Sequence, residues 1–162
     1  MLLQFHRRAL LGGCVALAGC GASRAEGPGT STQLGQPSAP VGTTTMRFED
    51  ATRHRPLVTR IWYPADPKTK SKNTSLDWIF VARGVPEAPM AAQPAKLPLV
   101  LLSHGTGGST SSLVWLAEGL AAHGYLVAAV EHFGNCHGND TPDGAMAQWR
   151  RPVDLSRALD AL

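Results

Sequence analysis

The sequence predicts an α/β protein, and three observations carry that prediction. Leu99-Val100-Leu101-Leu102 is a continuous apolar run of strand length, as expected of a strand covered on both faces. After a glycine-rich turn comes a helical pattern, with Leu113, Leu116, Leu120 and Ala121 at spacings of 3, 4 and 1. Tyr125-Leu126-Val127-Ala128-Ala129-Val130 is then a second buried strand. Strand, turn, helix and strand make a βαβ unit, whose strands should be parallel and whose crossover should be right-handed.

The chain opens on a targeting pattern rather than a fold. His6, Arg7 and Arg8 precede an apolar stretch from 9 to 18, too short for a bilayer span but suited to a signal h-region. It ends in Leu17-Ala18-Gly19-Cys20, which resembles the lipobox of bacterial lipoproteins. Small residues at 18 and 19 fit a signal peptidase, and the Cys20 thiol would take the lipid. Residues 1–19 are therefore expected to be a lipoprotein signal peptide, with an ordinary secretory signal as the alternative. Arg7-Arg8 ahead of Leu10-Leu11 also resembles a twin-arginine signal, so the export route stays open. Loss of Arg7 and Arg8 takes the formal charge from +3 to +1, which removes the electrostatic case for a nucleic-acid partner. Three cysteines cannot close a disulfide framework. Cys14 leaves with the signal and Cys20 is used by lipid, so Cys136 is the remaining thiol.

Residues 20–42 are rich in Gly, Ser, Thr, Pro and Ala and read as a flexible tether. The domain is expected from residue 43. Met46-Arg47-Phe48 and Leu57-Val58-Thr59-Arg60-Ile61-Trp62-Tyr63 flank a polar turn. The second stretch puts Leu57, Thr59, Ile61 and Tyr63 on one face, which predicts an antiparallel hairpin. Pro64 and Pro67 end it. Residues 68–96 read as a proline-containing insertion, with a short helix or strand at 77–81. Lys68, Lys70 and Lys72 form a solvated turn or an anionic headgroup contact. Gly124 after His123 stops the central helix, where His123 suits the negative helix end. Pro152 opens a last helix on which Val153, Leu155, Leu159 and Leu162 share a face.

Three readings compete for the turn His104-Gly105-Thr106-Gly107-Gly108-Ser109. A phosphate-binding loop needs a lysine that is missing. A dinucleotide fingerprint needs G-x-G-x-x-G, whereas Gly105, Gly107 and Gly108 give G-x-G-G. The third is an oxyanion loop, in which glycines turn the chain sharply at a strand end and leave an amide free for a developing negative charge.

The residues from Pro98 to His104-Gly105-Thr106-Gly107, then Leu120-Ala121-Ala122-His123-Gly124-Tyr125 through Glu131-His132, resemble the platelet-activating factor acetylhydrolase and bacterial dienelactone hydrolase-like group. Arg53-His54-Arg55-Pro56 and Ile61-Trp62-Tyr63-Pro64 resemble the opening hairpin of that group. Gly134-Asn135 and Arg151-Pro152-Val153-Asp154-Leu155-Ser156, before Leu159-Asp160-Ala161-Leu162, match its bacterial members. The resemblance implies the N-terminal half of an α/β-hydrolase fold over residues 43–162, serine-dependent ester cleavage, and the Thr106 amide as an oxyanion donor. His104, Gly105, Gly107 and Gly108 would shape that turn, and no cofactor is implied.

The group's serine sits in a G-x-S-x-G elbow, and no such motif occurs in these residues. The expectation is a chain cut before its nucleophile, acid and base, without triad chemistry of its own. The strand over 97–103 would then be an unpaired apolar edge, and the isolated chain poorly soluble. His104 is expected to orient the turn by hydrogen bonds. Glu131, His132, Cys136, His137 and Asp140 fit no standard zinc spacing, so they are expected to rim a substrate pocket with Phe133 as its apolar wall.

The expected protein is thus an exported, lipid-anchored bacterial envelope esterase, exposed to the periplasm or the outside. Its substrates would be short-chain esters or phospholipid acyl groups. The competing expectation is a surface lipoprotein that is inert or binds a ligand without chemistry.

Overall fold

The computed structural model describes residues 39–71, 73–76, 80–92 and 96–162. The expected signal, Cys20 and most of the expected tether lie outside them. The main sheet begins with β1 (Val41–Asp50) and β2 (Arg55–Pro64), an antiparallel hairpin in continuous register from Val41–Pro64 to Asp50–Arg55. Asp50 builds the turn, its Oδ1 accepting from the Thr52 and Arg53 amides at 3.1 and 3.2 Å. Short polar side chains that bond to the backbone two or three residues on are what such turns need. β1 starts two residues inside the segment read as tether. Val41 is buried, and Gly42 pairs with Tyr63, whose ring covers the space a Cβ would need.

The segment 68–96 is stitched to the sheet rather than looped away from it. β3 (Thr74–Leu76) and β4 (Phe80–Ala82) form a small hairpin, and β5 (Val85–Pro86) lies parallel to β1. Residues 80 and 81 of the undecided 77–81 stretch are therefore strand. Ala82 is buried in the core, and Glu118 Oε1 accepts from the Arg83 and Gly84 amides, both at 2.7 Å. Apart from Ala82, the strands are too short to show a period, which is why the sequence reads as loop.

β6 (Leu99–Ser103), α1 (Val114–Ala122) and β7 (Leu126–Val130) are the expected βαβ unit, with β6 and β7 parallel. The sheet order is β5-β1-β2-β7-β6. Every residue of β7 is buried, whereas Leu99 to Leu102 of β6 are half-buried. The expectation of a strand covered on both faces holds for β7. It fails for β6, which pairs only with β7 among the described residues and forms the sheet edge.

Helix α1 enters through a single 3-10 turn (Thr110–Leu113) with a capping box between Ser109 and Ser112. It leaves through His123 and Gly124, the latter at φ 89°, the left-handed conformation in which helices commonly end on glycine. The buried face is Val114, Ala117, Ala121 and Ala122, not the Leu113–Leu116–Leu120 stripe. Alanines at 117 and 121 bring the helix close to Trp62, Val127 and Ala129 of the sheet, and the leucines flank the contact half-buried.

On the opposite face, α3 (Arg151–Ala161) packs Ala158 and Leu155 on Leu57 and Val130. Side-chain alternation separates the two layers: Trp62 and Val127 point to α1, Leu57 and Val130 to α3. Val153, expected on the buried face of α3, is exposed, and the position turned inward is Asp154. Between β7 and α3 lie β8 (Asn135–Cys136), β9 (Asn139–Asp140) and the short α2 (Pro142–Met146).

Two glycines give opposite outcomes on substitution. A Cβ on Gly144 would strike the Gly134 carbonyl, which is backbone and cannot yield cheaply. Gly144→Ala is expected to lower stability by roughly 1–3 kcal/mol. Gly119 lies inside α1 with nothing near its virtual Cβ, so Gly119→Ala is expected to add about 0.5–1 kcal/mol. Urea unfolding midpoints of the two variants test both signs.

Candidate active site

The candidate site forms where β6 and β7 end side by side. The chain leaves β6 at Ser103 and closes a four-residue turn in which the Gly108 amide donates to the Gly105 carbonyl at 3.1 Å. Gly107, third in that turn, has φ 66°, the left-handed region that favours glycine. A Cβ on Gly108 would press on Ser112 Oγ and the Gly105 carbonyl, and one on Gly105 would meet nothing. Thr106 is second in the turn and exposed. A β-turn leaves that amide unused, and among the described residues no acceptor takes the Thr106 N–H.

His104 is buried beneath this turn. Its Nε2 accepts the His132 backbone N–H at 3.3 Å, and its Nδ1 lies 2.7 Å from the Gly105 carbonyl. A backbone N–H can only donate, so the proton sits on Nδ1 and is given to Gly105. Burial, helped by the nearby His132 and Arg151, holds the His104 pKa below the usual histidine value against the opposing bond to Gly105. The ring is a neutral clip between the Gly105 carbonyl and the His132 amide. Arg151 of α3 holds the same residue from outside, its Nη1 donating to the His104 carbonyl at 2.5 Å.

His132, just beyond β7, is 1% exposed. Its Nδ1 lies 3.0 Å from Asp154 Oδ2 and its Nε2 2.9 Å from Ser103 Oγ. Asp154 is fully buried. Burial pushes its carboxyl up, but hydrogen bonds from His132 and Arg55 and their charges outweigh this and hold its pKa below the usual carboxylate range. As an anion it accepts the Nδ1 proton, and His132 Nε2 shares a hydrogen bond with the Ser103 hydroxyl. Arg55 Nη2 and Nε reach Asp154 at 3.0 and 3.3 Å, and Arg53 Nη1 at 2.9 Å.

Ser103, His132 and Asp154 therefore connect in the order of a serine–histidine–carboxylate relay. Two features separate it from a hydrolytic one. The Asp154 charge is shared with two guanidiniums, which weakens its support for an imidazolium. The His132 ring, 1% exposed, has no open edge from which to pass a proton to a leaving group. The relay holds β6, β7 and α3 together.

The residues weighed as a metal cluster do not converge. His132 turns inward to Asp154, and buried Cys136 faces the Asn139 carbonyl. Among the described residues no three His, Cys, Asp or Glu side chains are placed to share an ion. Their loop instead ties to the turn, the His137 amide donating to the Gly108 carbonyl at 2.7 Å, and Arg151 bonds Asn135. Arg55 and Asp154 were not singled out from sequence as site residues. Counting four residues back from Ala158 places Asp154 on the inner face of α3, and a lone carboxylate there was the available signal.

Over residues 81–137 the chain matches the family described as platelet-activating factor acetylhydrolase, isoform II. That span runs from β4 to His137 and contains the whole turn and His132. Among solved structures, a ferulic acid esterase from Streptomyces cinnamoneus is 28% identical, with a TM-score of 0.63. The match covers 76% of this chain and 46% of that one, so the chain spans about half the length of the structure it resembles. No curated protein matches the chain. The chain has an α/β-hydrolase fold, and the segment similar to the acetylhydrolase family contains the turn of the candidate site.

The buried groups set an acid profile in two steps. The folded His104 pKa lies below its unfolded value of about 6.5, so the unfolded chain binds more protons and stability falls as pH drops below that value. Asp154, and Asp50 through its bond to Arg53, are held below the carboxylate range and add a second loss below about pH 4. Urea midpoints measured from pH 8 to 3 should show both limbs. In His104→Gln the upper limb should vanish while the lower one stays.

Proposed function

We propose that these residues form the oxyanion-turn half of a serine-dependent carboxylic ester hydrolase acting on short-chain esters or phospholipid acyl groups. The free Thr106 N–H, at the end of a parallel strand in a turn clipped from both sides, carries this reading. The similarity to an acetylhydrolase family and to a ferulic acid esterase supports it.

In this mechanism a serine in a G-x-S-x-G elbow, a motif these 162 residues do not contain, attacks the ester carbonyl. The carbonyl oxygen becomes an oxyanion and receives the Thr106 N–H together with a second amide. Collapse expels the alcohol, and water hydrolyses the acyl-enzyme. His104 and Arg151 fix the direction of the Thr106 amide before charge develops, so no reorganisation is needed at the transition state. The chemistry needs no cofactor.

The reading extends to placement: an envelope protein, exported and lipid-anchored through Cys20 facing the periplasm or the outside, as supported by Leu17-Ala18-Gly19-Cys20. Cells expressing the protein should incorporate labelled palmitate into it, and Cys20→Ser should abolish the label. Label retained in that variant would refute the anchor.

Hydrolysis of p-nitrophenyl acetate by the protein carrying the elbow tests the chemistry. Thr106→Ala and Ser103→Ala should keep most activity, since neither side chain is used in the reaction. Thr106→Pro should lose about 10²–10³-fold in kcat, because proline suits the second position of the turn but has no N–H. A loss in Thr106→Ala as large as deleting the elbow serine would sink the backbone assignment. The same loss in Ser103→Ala would make Ser103 a nucleophile.

A further inference from the structure

Beside the candidate site lies a cavity of about 400 Å³ lined by Arg53, His54, Arg55, Phe133 and Arg150, within the size range of small-ligand pockets. Three of its five lining residues are arginines, and a fourth is an imidazole. The nearby carboxylates do not balance them. Asp154 lies behind the wall and is divided between Arg53, Arg55 and His132, and Asp50 is divided between Arg53 and Arg157. Arg150 has no side-chain partner among the described residues, and Arg53 Nη2 has no acceptor. Phe133, half-exposed, supplies one apolar wall, with the Arg55 guanidinium 5.7 Å from its ring centre.

From this arrangement we infer that the cavity is an anion subsite for a small organic anion, a phosphate or carboxylate head joined to a short apolar group. Guanidiniums present paired donors to either kind of oxyanion, and the Phe133 ring takes the apolar portion. Its position gives it a purpose. Phe133 directly follows His132, and Arg150 directly precedes Arg151, which holds the His104 carbonyl. An anion bound here lies beside the oxyanion turn, so the subsite selects esters that carry a negative group near the scissile bond. That last step rests on the ester-hydrolase reading, whereas the binding does not.

Calorimetric titration of the full chain with phenyl phosphate, phenylacetate and phenol tests it. Saturable binding of at least one anion is expected, weakened by salt, with no binding of neutral phenol. Arg150→Gln, which disturbs no ion pair of the fold, should weaken that binding about ten- to a hundredfold. Tighter binding of phenyl phosphate would assign a phosphate-bearing substrate, and tighter phenylacetate a carboxylate-bearing one. Absence of saturable anion binding, equal binding by Arg150→Gln, or binding of phenol as tight as the anions would each overturn the proposal. Anion binding without hydrolysis would refute the esterase reading alone, and hydrolysis without anion binding would refute the subsite alone.

Discussion

One buried charge organises the site. Asp154 sits on the inner face of α3 with no access to solvent, and an isolated carboxylate there would cost several kcal/mol. It is tolerated because three elements bring partners to it: hydrogen bonds from Arg55 at the start of β2 and His132 at the end of β7, and the positive charge of Arg53 from the hairpin turn. Removing the carboxylate would leave two guanidiniums facing each other, so the cluster can form only when all four parts are in place.

The same carboxylate determines what the imidazoles do. Asp154 takes the Nδ1 proton of His132, and Nε2 on the far side of the ring bonds Ser103 Oγ. The His132 backbone N–H goes to His104 Nε2, which places the His104 proton on Nδ1 and points it at the Gly105 carbonyl. Each hydrogen bond adds only about 1 kcal/mol, but the bonds to His104 act together on the turn from both sides. Helix α3 reaches that turn twice, through this chain of bonds and through Arg151 on the His104 carbonyl.

Positive charge in excess of the two carboxylates is left on the outer side of the cluster. Arg53 and Arg55 are present to neutralise Asp154, yet their remaining donors and the unpartnered Arg150 line an open cavity with Phe133. A structural need for buried compensation thus creates a cationic surface next to the turn. Arg53 and Arg55 thus serve both the buried cluster and the proposed anion subsite.

Much of the fold was legible without coordinates. The β1–β2 hairpin, the parallel βαβ unit, the glycine stop after α1 and the turn at residues 104–109 are local features, written in alternation, apolar runs and glycine positions that act within a few residues. The family-like order of motifs followed from the same segments. What the sequence left open depends on distance through space. The half-exposure of β6, whose position at the sheet edge was expected, depends on which elements lie over its faces, and the inner face of α1 on how close alanines allow a helix to approach. The stitching of residues 68–92 depends on a partner strand and on Glu118. Above all, Arg55, His132 and Asp154 are far apart in the chain, and as single residues each reads as an ordinary surface or loop position. Only packing α3 across β2 and β7 removes water from around Asp154, and it is that loss of solvent, a tertiary event, that turns three separate polar residues into one obligatory cluster.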